Sequence, residues 1–182
     1  DAGYSGPACR GIRCGVYAGV LGNEYDDLIR QNGRPADAYQ MLGNSTSILA
    51  ARIAYLLDLK GPALSIDTAC SSSLVAVHLA CQALLRDEVE MALAGGVTLH
   101  LTERPFVMMS RAGILSPTGR CRAFDRDADG IAPGEGVGVV VLKRLSRAIA
   151  DRDHIYAVIK GTGVNQDGRT NGITAPCSDA QA

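Results

Sequence analysis

The chain has 182 residues, with 18 Lys and Arg against 19 Asp and Glu, and its net charge of −1 carries no bias toward nucleic acid or an anionic membrane surface. Hydrophobic residues make up 47% and charged residues 20%, which excludes intrinsic disorder and suits one compact domain or a large piece of one. Its longest apolar runs, such as residues 137–142, fall far short of the roughly 20 residues that a membrane helix needs. There is neither a basic-then-apolar leader nor an initiator Met, so Asp1 is expected to be a cut end and the chain a fragment.

In chain order, residues 15–22 predict a short buried strand, and the polar stretch to Pro35 a loop or short helix. Asn44, Ser45 and Thr46 offer capping oxygens to an amphipathic helix over 47–57, which Gly61 and Pro62 close. A strand over 63–69 runs into a helix over 71–86 that is apolar on most faces (Leu74, Val75, Val77, Leu79, Ala80, Leu84) and is therefore expected to be buried. A strand bounded by Met91 and Leu99 follows, then a short helix near 105–112, a charged loop over 119–130, a strand over 136–142, a helix over 143–151 and a strand over 155–164. Such alternation predicts a layered α/β fold in one domain, its strands covered on both faces.

Six cysteines (9, 14, 70, 81, 121, 177) are scattered through a chain large enough to fold without staples, so reduced thiols and a cytoplasmic setting are expected. No Cys-x-x-Cys occurs, and His78, His100 and His154 do not fall at metal-ligand spacings with cysteine, so no metal is expected. Asp125-Arg-Asp127-Ala-Asp129-Gly130 imitates the opening of a calcium loop, but its twelfth position is Gly136 instead of a bidentate Glu. It reads as a charged connection whose aspartates cap or pair with Arg122 and Arg126. The glycines of 134–138 and 161–163 complete no phosphate loop, and Glu135 has no visible carboxylate partner for acid–base work.

The chemistry concentrates at Ser65-Ile-Asp-Thr-Ala-Cys-Ser-Ser-Ser-Leu74. An apolar strand meets a turn of small residues and a helix starts at once, so Cys70 is expected on a tight corner with its sulfur at a helix N-terminus. There the helix dipole favours thiolate, and free first-turn N–H groups can hold an oxyanion. On geometry alone, a buried structural cysteine is an equal reading.

Asp67-Thr-Ala-Cys70-Ser-Ser-Ser-Leu74 with Val75-Ala-Val-His-Leu-Ala80 resembles the active-site signature of β-ketoacyl synthases, in particular the ketosynthase domains of modular polyketide synthases. The likeness extends through Gly15-Val-Tyr-Ala-Gly19, Leu115-Ser-Pro-Thr-Gly-Arg-Cys-Arg-Ala-Phe-Asp125, Gly134-Glu-Gly-Val-Gly138 and Asn165-Gln-Asp-Gly168 to Thr174-Ala-Pro176. It implies a thiolase-like layered αβαβα fold, incomplete here, with residues 1–182 forming part of a ketosynthase domain. It further implies that Cys70 accepts an acyl chain from the phosphopantetheine of an acyl carrier protein, and that a malonyl-type extender then condenses onto it with loss of carbon dioxide. No cofactor is bound directly.

The resemblance also places Met109 at the acyl pocket and Thr174 beside the phosphopantetheine entrance; core packing and an ordinary loop threonine are the other readings of these two. Where the family reads Ala-Pro-Asn, this chain has Ala-Pro-Cys177. The family's two histidines, one in a His-Gly-Thr-Gly-Thr motif, are expected beyond Ala182, so the piece alone is not expected to condense. His78 reads as a satisfied helix residue, and His100 and His154 as surface positions. Expected partners are the acyl carrier protein, the other domains of a multidomain synthase and a second copy meeting along 63–69. The rival functions are a non-elongating acyl-transfer domain, or a non-catalytic dimerisation and carrier-docking module.

Overall fold

Small and β-branched residues between the glycine-rich junctions build a sheet from β1 (Cys14–Val20), β2 (Ala63–Ile66), β3 (Met91–Thr98) and β4 (Gly136–Lys143). The structure, a computed structural model, describes residues 2–35 and 37–181. The sheet order is β2-β1-β3-β4, with β2, β1 and β3 parallel and β4 antiparallel to β3. Parallel neighbours need crossovers, and helices supply them. α1 (Tyr25–Gln31), α2 (Ala38–Asn44) and α3 (Ser47–Leu57) lie between β1 and β2, while α4 (Ser72–Leu85) carries the chain from β2 past β1 to β3. α5 (Arg104–Arg111), α6 (Leu145–Ala150) and a terminal turn, α7 (Ser178–Gln181), complete the α-helices of the described residues, and a short 3₁₀ turn spans Gly6–Cys9.

The period-two alternation of the strands sends successive side chains to opposite faces, and each face of the sheet centre meets one helix. Tyr17, Ala92, Ala94 and Ile66 pack with Ala76, Ala80 and Ala83 of α4. Val16, with Ala18, Leu93 and Ala63 beside it, packs on the other face with Ala50 and Ala54 of α3. The coverage expected of every strand holds for β1 and β3 only. β4 is exposed across both faces, Val139 to 59% on one and Val140 to 47% on the other. α4 likewise buries its alanine face but leaves Leu74 exposed to 75%, because the helix meets the sheet along one stripe and not all round.

Predicted and observed elements agree to within one to three residues, apart from the unpredicted terminal turn α7 and four further exceptions. α2 was not foreseen; Asp37 starts it by accepting from the amides of Tyr39 at 2.8 Å and Gln40 at 2.9 Å. Thr46, the residue before α3, gives no side-chain cap, its own backbone being already helical (φ −60°, ψ −30°), and the hydroxyls of Ser45 and Ser47 bond each other at 2.6 Å. That helix stops on Asp58 in the left-handed region (φ 55°), before Gly61 is reached. Finally, residues 155–164 form no strand: β2 and β4 each keep an outer edge unpaired among the described residues, and the run makes a ladder with neither.

One ion network fastens the start of the chain to the end of the sheet. Lys143, the last residue of β4, bonds Asp153 at 2.7 Å, the Tyr4 hydroxyl at 2.6 Å, and Asp151, while Tyr4 donates to Asp153 at 2.8 Å. Burial works against the ammonium charge, but the bonds to Asp151, Asp153 and Tyr4 outweigh it and hold Lys143 above its ordinary range. The bond from Lys143, then that from Tyr4, holds Asp153 below the usual carboxylate range. A depressed carboxyl stabilises the fold above its unfolded pKa of about 3.9, and this contribution is lost as pH falls through the folded value. The raised lysine acts in the opposite sense: its contribution is present below an unfolded pKa of about 10.4 and fades in alkali. Asp153→Asn is therefore expected to give an unfolding free energy that falls less steeply below about pH 4 than the wild type's, measured by urea titration of the full-length protein. Parallel pH profiles for the two proteins contradict this.

Candidate active site

β2 ends at Ile66 and α4 begins at Ser72, so five residues make the whole corner. Ala69 takes the left-handed conformation (φ 55°), which is costly for a residue with a Cβ and persists only where neighbours fix it. Its amide donates to Asp67 Oδ1 at 3.0 Å, and its carbonyl accepts from Ser72 Oγ at 2.6 Å and Ser72 N at 3.1 Å. Ser72 Oγ also accepts from Thr68 N at 2.9 Å, and Ser71 Oγ donates to Thr68 O at 2.8 Å. Cys70 follows Ala69 directly and is exposed. It stands two residues before the first residue of α4, outside the first turn itself. Ser71, the residue at the helix start, makes no side-chain cap bond, so no hydroxyl covers the first-turn donors beside the thiol.

Cys70 opens into a hollow of about 410 Å³ walled by Leu21, Ala69, Ser73, Val97 and Thr98. Part of its lining is bare backbone. Gly19, Gly96 and Gly138 are direct register partners across β1, β3 and β4 and form one row. A Cβ on Gly19 would lie 2.8 Å from both Ser72 C and Ser73 N, and one on Gly96 3.0 Å from Ser73 Cβ. Missing side chains let the start of α4 settle onto the sheet and set the depth of the corner. A wider depression of about 660 Å³ between α1 and α2, lined by Asn23, Asp26, Asp37, Gln40 and Asn44, contains no thiol.

Neither of the other two expected site residues joins the hollow. Met109 is half-buried on α5, and Thr174 is exposed beside a turn closed by Ala175 N to Gly172 O at 2.9 Å. Three of the other five thiols are wholly or partly buried, or already bonded. Burial pushes Cys14 up to about 11 and raises Cys81, while Cys121 Sγ accepts from Ala132 N at 3.1 Å.

Three strand ends around the hollow are tied by a carboxylate clasp that the sequence did not disclose. Glu24, just past β1, accepts from Leu101 N at 3.2 Å and from Thr102 N and Oγ1, each at 2.8 Å. Burial opposes its charge, but these bonds and the neighbouring His100 hold Glu24 below its ordinary value. Glu135, just before β4, accepts from His100 N at 2.6 Å.

His100 is thus not the expected surface position. Its ring is 15% exposed, stacks edge-on against Phe106 with centroids 4.9 Å apart, and places a buried Nδ1 3.7 Å from Glu24 Oε1. His78 is satisfied by the Thr162 hydroxyl at 2.9 Å, and His154 is exposed against Tyr156. Asp129 is engaged by Ser116 at 2.7 Å and Arg122 at 2.9 Å, the pairing read for that loop.

Residues 1–148 match the family described as "Beta-ketoacyl synthase, N-terminal domain". The chain is 56% identical over 181 residues to the polyketide synthase PksL of Bacillus subtilis (strain 168), covering all of this chain and 4% of that protein. It is 53% identical over 180 residues to a phenolphthiocerol/phthiocerol polyketide synthase of Mycobacterium tuberculosis, covering 99% of this chain and 12% of that protein. Among solved structures, a ketosynthase from module 6 of the bacillaene synthase of Bacillus subtilis 168 superposes with a TM-score of 0.90 at 55% identity, covering all of this chain and 31% of that one. The Streptomyces albus JA3453 oxazolomycin ketosynthase domain gives 0.88 at 38%, with all of this chain and 32% of that one covered.

The chain belongs to the β-ketoacyl synthase family. Within that family it sides with the ketosynthase domains of polyketide synthases and shares their thiolase-like layered fold, of which it spans about a third of the solved chains. Among the described residues no helix is long and apolar enough to cross a membrane.

Proposed function

We propose that residues 1–182 form the nucleophile-bearing part of a ketosynthase that extends acyl chains by decarboxylative Claisen condensation. The observation that carries this reading is the exposed Cys70 thiol, fixed on a five-residue corner beside the start of α4 and open to a hollow. In the first half-reaction Cys70 Sγ attacks the carbonyl of an acyl thioester on the phosphopantetheine of an acyl carrier protein. The carrier C–S bond breaks, the carrier thiolate takes up the proton, and Cys70 holds the acyl group. In the second, a malonyl-type extender loses carbon dioxide, its carbanion forms the new C–C bond at the acyl carbon, and the Cys70 C–S bond breaks. A cysteine suits both, being nucleophilic near neutral pH and leaving a reactive thioester.

On the same reading, Met109 lines the acyl channel and Thr174 meets the phosphopantetheine arm; family resemblance supports these two roles, and the hollow at Cys70 does not include them. A second copy would pair along β2, whose outer edge has no partner strand among the described residues. Exposure of the full-length protein to a short acyl N-acetylcysteamine thioester, followed by mass mapping, is expected to find one acyl group, on Cys70. An acyl group confined to other cysteines, or none, removes the reading.

A further inference from the structure

Ser72 is one of only two polar residues buried among the described residues, at 5% exposure, and its hydroxyl spends its capacity on the backbone of the corner. It accepts from Thr68 N at 2.9 Å and donates to Ala69 O at 2.6 Å, so one oxygen bridges the two residues that precede the nucleophile. Asp67 completes the arrangement from the other side by taking the Ala69 amide at 3.0 Å. Both backbone polar groups of Ala69 are thereby held, and Ala69 is the residue that needs holding: its φ of 55° is a conformation that an alanine leaves when released. The direction in which Cys70 leaves the corner follows from that dihedral.

We propose that Ser72, assisted by Asp67, is a positioning residue for the nucleophile, holding Ala69 left-handed so that the Cys70 thiol projects into the hollow beside the uncapped start of α4. The inference rests on the reading of Cys70 as the acyl acceptor. It adds a division of labour in which the serines after the cysteine differ: Ser72 is buried and bonded to the corner, whereas Ser71 and Ser73 are exposed. With Ser72→Ala, Thr68 N–H loses its acceptor and Ala69 O keeps only the Ser72 amide, so the corner relaxes toward a right-handed turn and the thiol swings away. A glycine at position 69 adopts positive φ without strain, so Ala69→Gly makes the clamp dispensable.

The test is a double-mutant cycle in the full-length protein, with Cys70 acylation by the short N-acetylcysteamine thioester followed by mass against thioester concentration. Thermal unfolding is recorded for each variant to confirm that it is folded at the assay temperature. Ser72→Ala is expected to lower the saturating acylation rate about 10-fold or more, with the half-saturating concentration within about threefold of wild type, because misplacement penalises the reacting geometry more than binding. Hydrogen–deuterium exchange over residues 67–71 is expected to speed up in the same variant. In the Ala69→Gly background the Ser72→Ala loss is expected to shrink below about threefold. Acylation by folded Ser72→Ala within twofold of wild type, unchanged exchange over 67–71, or an equal loss in both backgrounds overturns the proposal. Faster exchange in Ser72→Ala together with a wild type that acquires no acyl group on Cys70 separates the two ideas, supporting the clamp and removing the nucleophile reading.

Discussion

Cys70→Ala is expected to take up no acyl group from a short thioester and to lose condensation in the full-length protein by at least about 10³-fold, because covalent catalysis has no substitute for its nucleophile. Three of the other five cysteines are wholly or partly buried, or already bonded. Cys14 is buried with its thiol pushed up to about 11, Cys81 is raised by burial, and Cys121 is occupied by the Ala132 backbone. Folding is expected to change by less than about 0.5 kcal/mol, since the side chain removed is exposed and fills no core space. Parallel acylation assays and thermal melts of wild type and Cys70→Ala check both halves. Equal acylation of the two proteins ends the assignment, whereas a large stability loss shows that the thiol packs as well as reacts.

Gly19→Ala is expected to destabilise the fold by about 1–3 kcal/mol and to slow Cys70 acylation by up to about 100-fold. Only one methyl group is added, but it would sit 2.8 Å from Ser72 C and Ser73 N, both backbone atoms that cannot rotate aside. The start of α4 has to lift from β1, and the corner moves with it. The site therefore reports the strain more sharply than the core does, as Ala76, Ala80 and Ala83 anchor the rest of the helix further along. Urea titration measures the first effect and acylation kinetics the second. An acylation rate within threefold of wild type, alongside the predicted stability loss, would show that the corner is set by its own hydrogen bonds and not by the depth at which α4 sits.

Most of the elements were legible because they are locally encoded. α3 runs over 47–57 as its apolar spacing indicates, and the strand–turn–helix pattern sets Cys70 on a corner before α4 without reference to anything distant. Features that depend on partners were not. The run at 155–164 has strand composition but no ladder, and His100 looks like a surface residue until Glu24 and Phe106 close over it from different parts of the chain. Two elements of the site fell into the same gap. Gly19, Gly96 and Gly138 become a row only through strand register. Ser72 looks like any turn serine beside Ser71 and Ser73, and only its burial sets it apart. A signal was present in the second case, since a positive-φ position held by an alanine demands fixed neighbours, but φ is not written in residue type.

With peptide planes instead of side chains at Gly19, Gly96 and Gly138, this side of the hollow beside Cys70 cannot be widened by substitution, glycine being already the smallest residue, and at Gly19 and Gly96 it cannot be narrowed without moving α4. Any tuning of the hollow's width by substitution then falls to its side-chain walls, Leu21, Val97 and Thr98 among them. Variants meant to reshape the hollow belong at those walls, with Gly19 and Gly96 left untouched.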